Sequence, residues 1–392
     1  MKTAMIRLAG IAAALLVATS AYAQGTVKIG LIMPYSGQFA DTATQMDGGV
    51  KLYVKQKGDT VAGKKIEIIR KDTGGIAPDV AKRLAQELVV RDKVDILAGF
   101  VLTPNALAAA DVSKEANKFM VVMNAATSII ISKSDLLTRT SMTLPQVAGP
   151  FGTWAATKGG VKKCYTMVTD YGPGHDVERS FSEAFKAAGG EIVGSVRMAV
   201  ANPDFSAYVQ RAKDLNPECI MIFIPGGTQP AALGKALAER QLSPKNVKIL
   251  GTGETTAEES LKGMGDAAIG MISAWHFDYA GTSKLNQEFT KAYSAEYKRN
   301  PDFFSIGGYD GMHVIYEALK KTKGNTDGKA LIDAVKGMSW ESPRGPITID
   351  AKTRDVVQTM YIRRVEKKGN ELINVVFDKV EKVKDPANPL NK

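Results

Sequence analysis

The sequence predicts an α/β protein of two lobes, each a largely parallel β-sheet with helices on both faces. Three observations carry that expectation. Apolar runs of strand length alternate with helical 3.6-residue patterns along most of the chain. Its 392 residues are enough for two separate cores. The alternation also breaks at RTSMTLPQVAGPFGTWA, from Arg139 onward, and a fresh βα series follows it, as when a chain crosses between domains.

In the first series, residues 27–33 read as a strand that Pro34-Tyr35-Ser36-Gly37 breaks. Residues 38–57 read as a helix with Met46, Val50, Tyr53 and Val54 on one face. A second strand, 65–70, ends at Asp72-Thr73-Gly74-Gly75. Pro78 then opens a helix in which Ala81, Leu84, Ala85, Leu88 and Val89 keep the spacing of a buried face. The second series has strands at 163–169, 191–197, 218–224 and 247–250. Three of them end in turns: Tyr171-Gly172-Pro173-Gly174, Pro225-Gly226-Gly227 and Gly251-Thr252-Gly253-Glu254. Residues 270–275 lead back out as a strand. Helices at 285–299, 309–321 and 329–338 follow, then late strands at 347–349, 358–365 and 372–377. The tail from Asp385, with two prolines, is expected to fray.

The stretch Val94 to Thr127 organises the first series. It reads as a strand with Ile96 and Leu97, a small-sided helix, and a strand from Phe119 to Met123. Thr103 before Pro104 reads as an N-cap with proline at the first helical position. Both strands then end beside a helix N-terminus, whose unpaired N–H groups attract an anion. Asn124-Ala125-Ala126-Thr127 adds further N–H groups and a hydroxyl; the alternative is a plain βαβ turn.

Composition narrows the classes. Hydrophobic residues at 44% and charged residues at 23% are those of a soluble globular protein. Lys2 and Arg7 precede an apolar run over 8–18, and Ala21-Tyr22-Ala23 has the form of a leader-peptidase site. Residues 1–23 therefore read as a signal peptide cut before Gln24, and the expected location is the periplasm. The net charge of +10 comes from basic residues scattered among acids, which reads as a solvated surface with no nucleic-acid partner. Cys164 and Cys219 each open an apolar strand in an oxidising compartment. Neighbouring strands would allow a bond, but two buried thiols are the expected state.

Signals for catalysis fail. Gly58 to Lys64 has the spacing of a phosphate-binding loop, but Lys65 stands where a magnesium-binding hydroxyl belongs and the loop precedes a strand. No G-x-S-x-G, H-E-x-x-H or C-x-x-C occurs, and His175, His276 and His313 lack metal-ligand spacing. The expectation is a non-enzyme with no catalytic residue, cofactor or metal.

The PYSGQ turn, Ala98-Gly99, the NAAT run, Asp170-Tyr171-Gly172, Gly226-Gly227, Gly251-Thr252-Gly253-Glu254, Gly307-Gly308-Tyr309-Asp310-Gly311 and the 345–350 run together resemble the leucine/isoleucine/valine-type solute-binding proteins of ABC importers. The resemblance covers the whole mature chain. DTVAGKKIE, ANPDF and WESPRGPITID bring it closest to members that bind aromatic carboxylates. It implies the type I periplasmic binding fold: two Rossmann-like lobes, three crossovers near 141–145, 273–278 and 349–357, and a ligand in the interlobe cleft. Lobe 1 would be 24–143 with 275–352, and lobe 2 would be 144–274 with 353–392. The implied partners are a small organic acid, of hydroxybenzoate or hydroxycinnamate type, and the membrane permease of an ABC importer, with the protein itself a monomer. A branched-chain amino acid is the alternative ligand, and a chemosensory receptor the alternative partner.

The same resemblance assigns the pocket. Phe100, Thr103, Ala125 and Thr127 match positions that hold a carboxylate through backbone N–H groups and hydroxyls. Tyr35, Ser36 and Gln38 would line the rim, or simply turn the chain. Tyr171 would stack on the ligand, with the Gly226 turn nearby. Glu254 would pair with an ammonium in an amino-acid binder, or accept a hydrogen bond from a phenol; otherwise it is a surface acid. Trp275, His276 and Tyr279 would form an aromatic wall, with His276 either a donor to a ligand oxygen or a hinge residue.

Overall fold

The computed structural model describes residues 25–391, so the leader and its cleavage point lie outside the described residues. The first sheet collects β1 (Thr26–Met33), β2 (Thr60–Val61), β3 (Lys64–Asp72), β4 (Ile96–Gly99), β5 (Phe119–Val122) and β6 (Leu137–Arg139). Helices α1 (Ala40–Lys57), α2 (Pro78–Val90) and α3 (Thr103–Glu115) connect them. The order is β2-β3-β1-β4-β5-β6, all parallel except the β2–β3 hairpin; of the glycines of the phosphate-loop-like spacing, Gly58 caps the end of α1 and Gly63 turns this hairpin. The central strands β4 and β5 are short, apolar and fully buried because helices cover both faces, whereas β3, toward the edge, is long and mostly charged.

The chain then passes through 140–143 into α4 (Leu144–Ala156), which packs on α5 (Gly172–Ala187). The irregular stretch seen in the sequence is thus a helix. Thr143 and Gln146 close a capping box at its start, and Pro150 inside it breaks the propensity pattern that would have revealed it. Strand β7 (Lys163–Thr169) precedes α5, and β8 (Glu191–Met198), α6 (Phe205–Leu215), β9 (Cys219–Phe223), α7 (Gln229–Glu239), β10 (Lys248–Thr252), α8 (Glu258–Met264) and β11 (Ile272–Trp275) follow. Through 276–283 the chain returns to the first lobe, where α9 (Lys284–Tyr297) and α10 (Phe303–Lys321) lie against α1. After α11 (Gly328–Val335) come β12 (Ser339–Ser342), β13 (Gly345–Ile349), β14 (Val356–Lys368) and β15 (Glu371–Val383).

The second sheet runs β12-β13-β14-β11-β10-β9-β7-β8, with β15 on β14. It therefore includes β12 and β13, which the sequence placed in the first lobe. Thr348 and Ile349 pair with Val357 and Val356, while Trp340 and Ser342 reach back to Asp310 on α10. This hairpin belongs to both bodies.

Two further expectations are overturned. Cys164 and Cys219 are register partners on adjacent strands β7 and β9, with Cα atoms 4.5 Å apart, and they form a disulfide. The tail is docked, not frayed: Asp385 and Asn388 are buried, and the Asn388 amide donates to Asp355 at 2.6 Å.

Buried polar groups hold the passages between lobes. Arg344 ion-pairs with Asp310 at 2.9 Å and donates to the Ser141 carbonyl at 3.1 Å. Gln146 donates to the carbonyls of Val356 and Val383, and Gln358 donates to that of Ser141. These bonds satisfy carbonyls at the ends of β14 and β15 and, at Ser141, in chain that belongs to no sheet.

Candidate functional site

The carboxyl ends of the two sheets face each other, and the lobes are closed. A Cβ at Gly172, the first residue of α5, would lie 3.3 Å from the Thr127 hydroxyl of the opposite lobe. Gly227 sits at φ +64°, and a Cβ there would strike the Gln38 carbonyl, so this turn must be glycine for the lobes to meet so closely.

The first-lobe wall is smaller than the sequence suggested. Leu102 is the N-cap residue of α3, and Thr103 begins the helix. Freed from capping, the buried Thr103 hydroxyl meets that of Thr127 at 3.0 Å. Asn105 is wholly engaged, accepting from Ala77 N–H and donating to Thr73 and Gly75. Phe100 and Ala125 face the other way, into the apolar layer beneath α2 and α3. Their main-chain N–H groups are also taken: Phe100 donates to Ile32 and Ala125 donates to Phe100, each at 2.9 Å. The Ala125 carbonyl accepts from Arg139. Phe100 adopts φ +65°, a left-handed conformation rare for a bulky residue, and this turns the chain sharply toward α3. What remains for an anion is the Thr103–Thr127 hydroxyl pair, the main-chain N–H groups of Ala126 and Thr127, for which the described residues provide no acceptor, and the first turn of α3, whose N–H groups have no intrahelical acceptor.

Tyr35 packs against the large apolar cluster. Its buried hydroxyl has no hydrogen-bond partner among the described residues, and burial, with Asp47 nearby, pushes its pKa far up. Ser36 is exposed and Gln38 half-buried, so these two stand at the rim.

The second wall brings together five of the expected residues: Tyr171, Gly226, Glu254, Trp275 and His276. Tyr171 stacks on Phe223, with ring centroids 6.1 Å apart, and burial and the nearby Glu254 raise its phenol pKa. The missing Cβ of Gly226 faces Phe304 and the Glu254 Cβ, at 3.7 and 3.9 Å. Trp275 ends β11 and lies edge-on to Phe303 at 4.9 Å, with His276 beside it at 5.2 Å. Gly253 exists because the indole occupies the space of a side chain there. Phe223, Phe303 and Phe304 were missed; the last two sit where the Asp302 cap starts α10, and the pair Phe303-Phe304 was the available signal. Tyr279 is half-buried against the same cluster, but the contacts of this wall do not include it.

Electrostatically this wall is neutral and under-bonded. Glu254 Oε2, Trp275 Nε1 and both ring nitrogens of His276 are buried with no hydrogen-bond partner among the described residues. Burial lifts the Glu254 carboxyl to about 8, with Thr252 and Arg363 pulling it only partly back. Burial, helped by the charges of Arg344 and Arg363, drives His276 well below its ordinary range, so its ring is neutral. Buried polar groups almost always have partners, so a cluster like this one points to a guest with polar atoms. Among the described residues no His, Cys, Asp and Glu cluster could hold a metal ion, and no helix is long and apolar enough to cross a membrane.

Comparison with known proteins agrees with this architecture. The Periplasmic binding protein family model matches residues 26–370. A Leu/Ile/Val-binding protein homolog 6 of Brucella melitensis is 39% identical over 386 residues, covering 97% of this chain and 98% of that one. The crystal structure of an ABC-transporter solute-binding protein from Rhodopseudomonas palustris BisB5, in complex with 3,4-dihydroxybenzoic acid, is 50% identical with a TM-score of 0.89, over 92% of this chain and 99% of that one. A second R. palustris solute-binding protein, in complex with 4-hydroxybenzoate, is 37% identical with a TM-score of 0.89, over 92% and 98%. Sequence, fold and two-walled cleft thus place the chain in the periplasmic binding protein family, to which it is joined by similarity to solute-binding proteins of ABC transporters.

Proposed function

We propose that this protein is the solute-binding subunit of an ABC importer, that it works as a periplasmic monomer cut before Gln24, and that it encloses a hydroxylated aromatic carboxylate without chemistry. Lobe 1 comprises 24–143 and 275–352 in this reading, and lobe 2 the remainder of the mature chain, with the β12–β13 hairpin shared at their boundary. The single observation that carries the ligand class is the neutral, unpaired second wall. A protonated Glu254 and an uncharged His276 suit a phenol, which both donates and accepts; an ammonium needs an ionised partner in so dry a site. The apolar cluster that includes Phe223, Trp275 and Phe304 accommodates an aromatic ring. The Thr103–Thr127 pair and the start of α3 take the carboxylate at the far end.

The name of the Brucella relative supports a second reading, a branched-chain amino acid. In it the ligand's own ammonium would re-ionise Glu254. Calorimetric titration of the mature protein separates the two. The expected result is binding of 4-hydroxybenzoate or 3,4-dihydroxybenzoate with no heat from leucine or valine; the reverse pattern overturns the proposal. Solute uptake in cells lacking the protein distinguishes transport from handing the same ligand to a chemoreceptor.

A further inference from the structure

We infer that Arg139, Asp355 and Asn388 form a positioning relay that fixes the solute-contacting loop 124–128 from the C-terminal tail. Arg139 ends β6 at the exit from the first lobe and is fully buried. Its guanidinium spends three bonds in three directions. Nη1 donates to the Ala125 carbonyl at 2.7 Å, Nη2 to the Thr127 carbonyl at 3.0 Å, and Nε to Asp355 Oδ1 at 2.8 Å. The other Asp355 oxygen accepts from Asn388. Asn388 is itself held by the Leu390 N–H, and Leu390 packs against the apolar layer containing Phe100 and Ala125. The tail thus comes back to the underside of the same loop.

Loop 124–128 is one of the places where the two lobes touch, the Gly227 turn against Gln38 being another. Thr127 carries the hydroxyl that meets Thr103 and lies against Gly172, and the next N–H, of Ser128, donates to Asp176 on α5 at 3.1 Å. The loop is not in a strand, so its own ladder does not hold it. The fork of an arginine on two carbonyls, two residues apart, sets the direction in which Thr127 and Ser128 point. Asp355 closes the turn between β13 and β14, at the third passage between lobes, so the relay ties the loop to the hinge. None of the three residues touches the cleft; they are positioning residues, and only a position-sensitive readout tests them.

The relay rests on the proposed function for its ligand readout but not for its structural one. Three variants, N388A, R139K and D355N, are compared with L237A, which opens a cavity in the outer core of the second lobe and lowers the melting temperature without reaching the hinge. Calorimetry with 4-hydroxybenzoate and 3,4-dihydroxybenzoate, and amide hydrogen exchange of the unliganded proteins, are measured together. N388A, the mildest change, is expected to weaken binding about tenfold and to speed exchange at the amides of 124–128 by a similar factor. R139K and D355N should do the same or more, while L237A stays within about twofold on both readouts. Unaltered exchange at 124–128 in N388A and in whichever of the other variants fold overturns the relay, whatever the ligand. Binding weakened equally in L237A also overturns it. If the unaltered protein binds neither acid, the proposed function fails, and the exchange result still decides the relay.

Discussion

The two walls of the cleft are built from opposite materials. The first-lobe wall offers short dipoles, two threonine hydroxyls and a helix end, on a frame where the Phe100 and Ala125 amides already donate within the protein. The second wall offers large side chains with unpaired polar tips: Glu254, Trp275 and His276 around an aromatic surface. In the proposed reading, the difference lets one site grip both ends of a small amphipathic acid. A charge is met by fixed dipoles that need no counter-ion, and a neutral hydroxyl by groups that burial has kept neutral.

The largest expected effect breaks the meeting of the walls. In Gly227→Val the added branches collide with the Gln38 carbonyl and must adopt φ +64°. Closure should fail, with binding weakened about 100-fold or more, ~2.7 kcal/mol by calorimetry. A scattering profile that stays open with ligand would check the cause.

Next comes the dipole wall alone. Thr127→Val keeps the shape and removes the hydroxyl, and a hydrogen bond to a carboxylate is worth about 1.5–3 kcal/mol, so a loss of roughly tenfold or more is expected for benzoates. A neutral analogue without the carboxylate should bind both proteins equally weakly. If Thr127→Val discriminates the analogue as strongly as the acid, the anion does not sit at this wall.

The smallest effect belongs to the neutral wall. Glu254→Gln preserves a donor and an acceptor, so 4-hydroxybenzoate affinity should change by less than about fivefold, whereas an ammonium ligand would lose several times more. The same variant has a pH signature. A glutamate that titrates near its ordinary value when unfolded but at about 8 when folded makes the native state hold an extra proton between those values. Stability of the unliganded protein is then full below the unfolded value and falls as pH rises through 8. Melting scans from about pH 5 to about pH 8.5 should show this decline, shallower in Glu254→Gln. A residual slope is expected from Glu258 and Asp302, both lifted to about 7 by burial.

How much of this was legible varies with how local the cause is. Gly226, Glu254, Trp275 and His276 could be read because each lies at or just past the end of a strand, and in sheets of this kind the strand ends make the cleft. Phe303 and Phe304 could not be placed the same way, since they open a first-lobe helix, behind its Asp302 cap, and follow no strand. The helix α4 was hidden by Pro150 although its capping pair, Thr143 and Gln146, stood in plain view.

By itself, then, the chain's order of apolar runs and turns determined the parallel βα series of each lobe, the places where those strands end, and the side chains offered there, because those depend on neighbours a few residues away; the antiparallel pairs that β12 to β15 add to the second sheet were not among them. Only the tertiary structure decided which main-chain groups remain available. Ala125 and Phe100 lose theirs to each other, to Ile32 and to Arg139. It also decided that Cys164 meets Cys219 across 55 residues, and that the tail at Asn388 reaches Asp355. A hydrogen bond or a disulfide consumes its partner wherever in the sequence that partner lies, and register and hinge geometry, which no local pattern encodes, choose the partner.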